Sequence, residues 1–170
     1  MSEGFRIELL SSAHDRTGFS CGVEALDRYF RELVSQDMRR RVSNCFVALD
    51  PAGKIAGYYT LAATSLPLTE IQPDQARRLP RYQAFPACLV GRLAVDQAFR
   101  GRGLGGALIV DAIARSMRAE PAIFALIVDA KDEAAMGFYE HLGFIRFASR
   151  PMTLFLPIAE AARRLGASRN

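Results

Sequence analysis

The spacing of apolar and polar positions changes several times along these 170 residues. "FRIELL" (5–10) alternates, as a half-buried strand does. From Val23 the period lengthens. Leu26, Tyr29, Phe30, Leu33 and Val34 recur at three- and four-residue spacing, which predicts a helix ending near Arg39, Arg40 and Arg41. "NCFVALD" and "KIAGYYTLAA" flank the turn signal "PAG" and predict a hairpin. Residues 64–86 hold four prolines and no sustained period, so an irregular segment with a short helix at 73–79 is expected. "ACLVGRLAV" (87–95) and "AIFALIV" (122–128) are apolar runs of buried-strand type, separated by a glycine turn and a helix reaching about residue 118. "KDEAAMGFYEHLGF" predicts a helix closed by Gly143, "PMTLFLPI" a last strand and "AEAARRLG" a terminal helix. Antiparallel strands followed by strand–turn–helix–strand–helix–strand make a mixed sheet with helices on its faces, an α/β or α+β class. Without internal repeat, linker or low-complexity tract, residues 1–170 are expected to form one domain.

Composition narrows the classes. Half of the residues are hydrophobic, which argues against disorder. No apolar run is long enough to span a membrane, and "MSEGFRIELLSS" does not read as a signal peptide. Cys21, Cys45 and Cys88 are odd in number and far apart, which fits reduced thiols in a cytoplasmic protein and offers no metal-ligand spacing. The net charge is +4, and twenty arginines stand against only Lys54 and Lys131. Arginine's planar donor fork suits phosphate, although a general arginine bias explains the excess as well. Arg39, Arg40 and Arg41 are consecutive, and Arg77, Arg78 and Arg81 crowd a second segment. Such clusters either face a polyanion or cap a helix end and stand in solvent.

"FRGRGLGGALIVDAIAR" (99–115) places four glycines in the six positions 101–106, directly before an amphipathic stretch. Four glycines cost backbone entropy on folding, so bare backbone there has a use. A helix N-terminus carries unpaired N–H groups and partial positive charge, and the turn therefore reads as an anion site. "GRGLGG" also fits the dinucleotide fingerprint G-x-G-x-x-G, with Asp129 about 20 residues further on. It comes after a hundred residues of other pattern, which places that reading second; a ligand-free glycine loop is the third.

"LAVDQAFRGRGLGGALI" resembles the acetyl-CoA motif of the GNAT acetyltransferases, [RQ]-x-x-G-x-[GA], with Arg100, Gly103 and Gly105 at its specified positions. "DEAAMGFYEHLGF" resembles the family's second signature through Ala135, Phe138, Tyr139, Gly143 and Phe144, with Asp132 where the family usually has Asn. Together with "CGVEALDRYF", "GYYTLAATSL", "LPRY", "LVGRLAVD" and "PMTLFLPI", these segments resemble the GNAT toxins of bacterial toxin–antitoxin modules over most of residues 20–158. The resemblance implies the GNAT acyl-CoA N-acyltransferase fold, with a central, mostly antiparallel sheet and helices on both faces. It implies acetyl transfer from acetyl-CoA to the α-amino group of aminoacyl-tRNA, which blocks translation. It implies neutralisation by a ribbon–helix–helix antitoxin, contact with operator DNA only through that antitoxin, and room for a homodimer. The alternative is a GNAT enzyme acting on a protein N-terminus or a small amine; a third, non-enzymatic reading is a protein that only binds its antitoxin and DNA.

The resemblance assigns roles residue by residue. The turn Arg100, Gly101, Arg102, Gly103, Leu104, Gly105 and Gly106 would cradle the pyrophosphate. Leu93, Ala94 and Val95 would pair their backbone with the pantetheine arm, as an added strand does. Phe138 would line the cofactor. Tyr139 would be the general acid that protonates the leaving thiolate; by spacing alone it reads equally as a half-buried helix tyrosine. A thiol ionises near pKa ~8.5 and a tyrosine near ~10, so the phenol is protonated at neutral pH. No general base stands out, and an α-amino group with pKa about 7.7–8.0 is partly neutral without one. Arg39, Arg40, Arg77, Arg78 and Arg81 are the candidates for the tRNA surface.

Overall fold

The computed structural model describes residues 4–167. Seven strands, β1 (Arg6–Leu9), β2 (Asn44–Leu49), β3 (Ile55–Pro67), β4 (Ala84–Val95), β5 (Ala125–Asp129), β6 (Ile145–Arg146) and β7 (Thr153–Pro157), form a sheet in the order β1-β2-β3-β4-β5-β7-β6. The pairs β1/β2, β2/β3, β5/β7 and β6/β7 are antiparallel. The helices are α1 (Glu24–Arg28), α2 (Val34–Arg39), α3 (Pro73–Ala76), α4 (Leu104–Arg118), α5 (Glu133–His141) and α6 (Ile158–Ala167). Contacts gather the chain into two compact units. One runs to Ala62 and adds Val90–Ala112; the other holds Ala63–Leu89 and the chain from Ile113 onward.

In the first unit α1 and α2 are joined by a π-helical turn, Tyr29–Leu33. The wider turn inserts one residue into the helical frame. Val34 is therefore fully buried whereas Leu33, expected on the same face, is 42 % exposed. Leu26, Phe30, Val34 and Met38 make the inward stripe instead. Phe30 stacks on Tyr58 of β3 with ring centroids 4.2 Å apart, and Phe19 meets both rings edge-on. These aromatics, with Cys45, Val47 and Ala94, form the core of this unit. α2 ends as predicted in the arginine triplet, and Arg41 adopts the left-handed conformation, φ 59°, that closes it.

In the second unit Leu66, Phe85, Ala125, Ile127, Phe147 and Phe155 form the core. The segment expected to be irregular is more ordered than its prolines imply. β3 runs on to Pro67, β4 begins at Ala84, and only residues 68–83 lie outside strands. Pro67 stands at a strand end, where a missing N–H breaks no ladder. The predicted helix at 73–79 is the single turn α3. The two-residue β6, which pairs Ile145 with Phe155, is too short to leave a periodic signal.

Candidate active site

The first unit carries the glycine turn. The C-terminal end of β4 delivers the chain through the 3₁₀ turn Gln97–Phe99 to Arg100, and α4 starts at Leu104. Gly101 (φ +79°) and Gly103 (φ +73°) are left-handed, a conformation that costs any other residue roughly 1–2 kcal/mol. A Cβ built on Gly101 or Gly106 meets no atom within 4 Å, so the backbone faces open space. The first main-chain bond of α4 is Ala107 N–H to Gly103 O, 3.1 Å, which leaves the N–H groups of Leu104, Gly105 and Gly106 to a ligand or solvent. The turn is thus a cradle that side chains at Gly101 and Gly106 would fill.

Three contacts between residues distant in sequence hold the approach to this turn. The buried Asp96 accepts from Ser20 N at 3.0 Å and from Ala98 N at 2.9 Å. Gln97 N donates to Ser20 O at 2.9 Å. Arg100 Nη2 donates to Cys21 O at 2.5 Å. The Arg100 guanidinium thus braces the loop before α1, and Arg102 lies 5.3 Å from the Phe99 ring centroid. Gly57 on β3 brings the helix close: a Cβ there would stand 3.0 Å from Ala94 O and 3.2 Å from Leu104 Cδ2. Leu93 and Val95 are half-buried and Ala94 is buried. Asp96, Ser20, Cys21 and Gly57 escape sequence reasoning, because the long-range partners that tie them lie 37 to 79 residues away in chain order and no local motif marks them.

The second unit carries Tyr139. Asp132 caps α5, its carboxylate accepting from Ala135 N at 2.8 Å. The Asp in place of the family's Asn thus has a structural task, and its charge suits a helix N-terminus. At the other end Gly143, φ +103°, reverses the chain. Gly143 N donates to Glu140 O at 3.0 Å and Phe144 N to Tyr139 O at 3.1 Å, the double bond of a Schellman motif. That closure lays Phe144 against the Tyr139 ring, centroids 5.5 Å apart, while Phe138 flanks it at 5.3 Å. The "FYEHLGF" signature is therefore a device that fixes the tyrosine. Tyr139 is 7 % exposed and Phe138 38 %. Burial, and then the negative Asp129, push the phenol up to about 12, so it stays a proton donor at any physiological pH. Asp129, the acidic partner in the dinucleotide reading, accepts the Thr153 hydroxyl at 2.7 Å.

The basic candidates are all exposed and fall on both units. Arg39 and Arg40 end α2 in the first. Arg77, Arg78 and Arg81 follow α3 in the second, where Arg77 pairs with Asp74. Arg78 also lines a cavity of about 510 Å³ with Arg163, Arg164 and the apolar Phe124 and Phe155. Among the described residues no group of three or more His, Cys, Asp or Glu could hold a metal ion, and no helix is long and apolar enough to cross a membrane.

Residues 41–146 match the family described as Acetyltransferase (GNAT) domain. The chain is 35 % identical over 159 residues to the tRNA-acetylating toxin of Mycobacterium tuberculosis, covering 92 % of this chain and 94 % of that one. Its fold is similar to that of AtaT complexed with acetyl-methionyl-tRNAfMet, with TM-score 0.84, 26 % identity and coverage of 95 % and 99 %. It is also similar to a mutant AtaT toxin bound to the C-terminus of the antitoxin AtaR and acetyl-CoA, with TM-score 0.77, 25 % identity and coverage of 96 % and 99 %. A family match across residues 41–146, together with this relative across nearly the whole chain, takes the glycine turn out of the dinucleotide class: the chain belongs to the GNAT acetyltransferases.

Proposed function

We propose that this protein is an acetyl-CoA-dependent N-acetyltransferase toxin that acetylates the α-amino group of aminoacyl-tRNA and so blocks translation. One observation carries the reading. The left-handed Gly101 and Gly103 open α4 with free N–H groups just beyond the short 3₁₀ turn that follows β4, a cradle for the cofactor's pyrophosphate. The substrate class rests on the likeness to the tRNA-acetylating relative. When bound, acetyl-CoA supplies an acetyl group on a thioester whose sulfur departs as a thiolate. Arg100 to Gly106 would hold its phosphates, Leu93 to Val95 would lend main-chain groups to its amide-rich arm, and Phe138 would lie against it.

Tyr139 would donate to the departing sulfur. A phenol at about 12 against a thiol near ~8.5 makes complete transfer to a free thiolate uphill by roughly 5 kcal/mol. The phenol therefore acts as a hydrogen-bond donor while charge builds on sulfur, and the amine's surplus proton restores the balance through solvent. No dedicated base is required, because an α-amino group is substantially neutral near pH 8. What remains for the protein is orientation, an effect worth roughly 7–11 kcal/mol in favourable cases.

The partners follow from the same reading: aminoacyl-tRNA as substrate, a ribbon–helix–helix antitoxin whose tail covers the toxin and operator DNA reached through that antitoxin, in the cytoplasm and with room for a homodimer. The decisive experiment incubates the protein with acetyl-CoA and total charged tRNA and identifies acetylated aminoacyl ends by mass spectrometry. Acetylation of protein N-termini or small amines, with charged tRNA untouched, would transfer the assignment to the alternative GNAT class.

A further inference from the structure

Arg92 lies outside the cradle yet is unusually well supported. It stands on β4 one position before Leu93 and is solvent-exposed. Its guanidinium carbon sits 3.5 Å from the centroid of the Tyr29 ring. That ring is 5 % exposed, and its hydroxyl donates to Asp37 Oδ2 at 2.7 Å. The backbone beneath is equally fixed: Arg92 N donates to the buried Thr60 Oγ1 at 3.0 Å. A Cβ on Gly91 would come within 3.3 Å of the same oxygen, so the glycine lets the strand settle there. Ordering a free arginine costs side-chain entropy, and here the fold has already met that cost. With one face on an aromatic, the planar fork is presented ready to bind.

We propose that Arg92 binds a phosphodiester in the single-stranded 3′ end of the acceptor tRNA. The inference rests on the functional reading above. If the start of α4 takes the pyrophosphate, the cofactor's arm runs back along Val95, Ala94 and Leu93, and its thioester end points toward Arg92. The reactive amine must come to that end. In an aminoacyl ester, only one nucleoside separates the acylated ribose hydroxyl from the last phosphodiester. A fixed arginine at this point on β4 suits a bidentate grip on that phosphate and thereby aligns the amine. Arg92 would be a positioning residue that sets which acceptors are used, leaving the acetyl-CoA site untouched.

Two acceptors carrying the same amino acid separate the possibilities: an aminoacylated CCA trinucleotide, which has phosphodiesters, and an aminoacyl-adenosine, which has none. For Arg92→Ala we expect KM for the trinucleotide to rise roughly ten- to hundredfold, the effect of losing a charge-assisted hydrogen bond. KM for the aminoacyl-adenosine and the calorimetric affinity for acetyl-CoA should match the wild type, and Arg92→Lys should recover part of the loss. Equal losses on both acceptors, or no loss on the trinucleotide, would overturn the assignment. A melting curve accompanies each variant, and Arg92→Lys carries the test if the alanine variant unfolds. Intact charged tRNA is assayed alongside: if the wild type acetylates it but not the trinucleotide, the Arg92 assignment is overturned alone. If the wild type binds acetyl-CoA but acetylates neither these acceptors nor intact charged tRNA, the functional reading falls and this one with it.

Discussion

Tyr139 illustrates how far packing alone can set the proton affinity of a side chain. Phe138 and Phe144 enclose its ring, and burial with the nearby Asp129 raises the phenol from an ordinary 10.0 to about 12. A raised acid favours the neutral form in the fold. Its stabilising contribution is therefore complete below pH 10 and is lost as pH rises toward about 12. Tyr139→Phe should lower turnover by roughly 10²–10⁴-fold with acetyl-CoA affinity nearly unchanged. Because the phenol stays protonated in the working range, wild type and variant should share the shape of their pH–rate profiles between about pH 7 and 10. An alkaline decline present in the wild type and missing from the variant would show that the phenol ionises there. Equal turnover would mean that solvent serves the leaving sulfur.

Alanine in place of a helical glycine in α4 and in α5 is expected to act alike on folding and differently on binding, and this separates a binding cradle from a merely flexible turn. Gly106 and Gly137 both lie inside helices, and a Cβ on either meets nothing within 4 Å. Alanine at either position should stabilise the protein by up to about 1 kcal/mol, read as a raised melting temperature. Gly106→Ala should in addition weaken acetyl-CoA binding in a titration, whereas Gly137→Ala should not; equal affinities in both variants would remove the pyrophosphate from this turn. Removing the α5 cap by Asp132→Ala should cost about 1 kcal/mol, and Asp132→Asn should keep most of it. The same elements show what sequence can disclose. The glycine turn, the helix behind it, the hairpin and the Gly143 stop were legible because each rests on neighbours within a few residues. The π-helical turn was not: it moves Leu33 out and Val34 in through one extra residue that helical spacing cannot display. Nor were the clasp of Ser20 and Cys21 onto Asp96, Gln97 and Arg100, or the Arg92–Tyr29 stack. These join segments 63 to 79 residues apart in chain order and follow only from tertiary packing. The continuous strand through Pro67 was hidden by prolines that turn out to sit at strand ends and exposed positions.

Charge acts over the molecule as a whole, and twenty arginines with a net charge of +4 are a long-range attraction for a polyanion. Arg39, Arg40, Arg77, Arg78 and Arg81 are exposed, so each is available to phosphate, but their local ties differ. Arg39 lies in the last turn of α2, where a cation also favours the helix dipole by roughly 0.3–1 kcal/mol, so its removal mixes folding with binding. Arg77 already pairs with Asp74, and Arg78 borders the arginine-rimmed cavity. The cleaner experiment is therefore the pair Arg77→Glu with Arg78→Glu, which leaves α2 intact. Each lost phosphate contact should reduce the dependence of log affinity on log salt by roughly one unit or less and weaken all tRNAs alike. An acidic antitoxin tail that used the same surface would compete with tRNA, so the double variant should also escape inhibition. Binding is measured at two salt concentrations alongside an acetyl-CoA titration, which monitors the fold. If tRNA affinity and its salt dependence both match the wild type while acetyl-CoA still binds, the segment around α3 does not hold the tRNA, and its arginines serve solubility and local ion pairs alone.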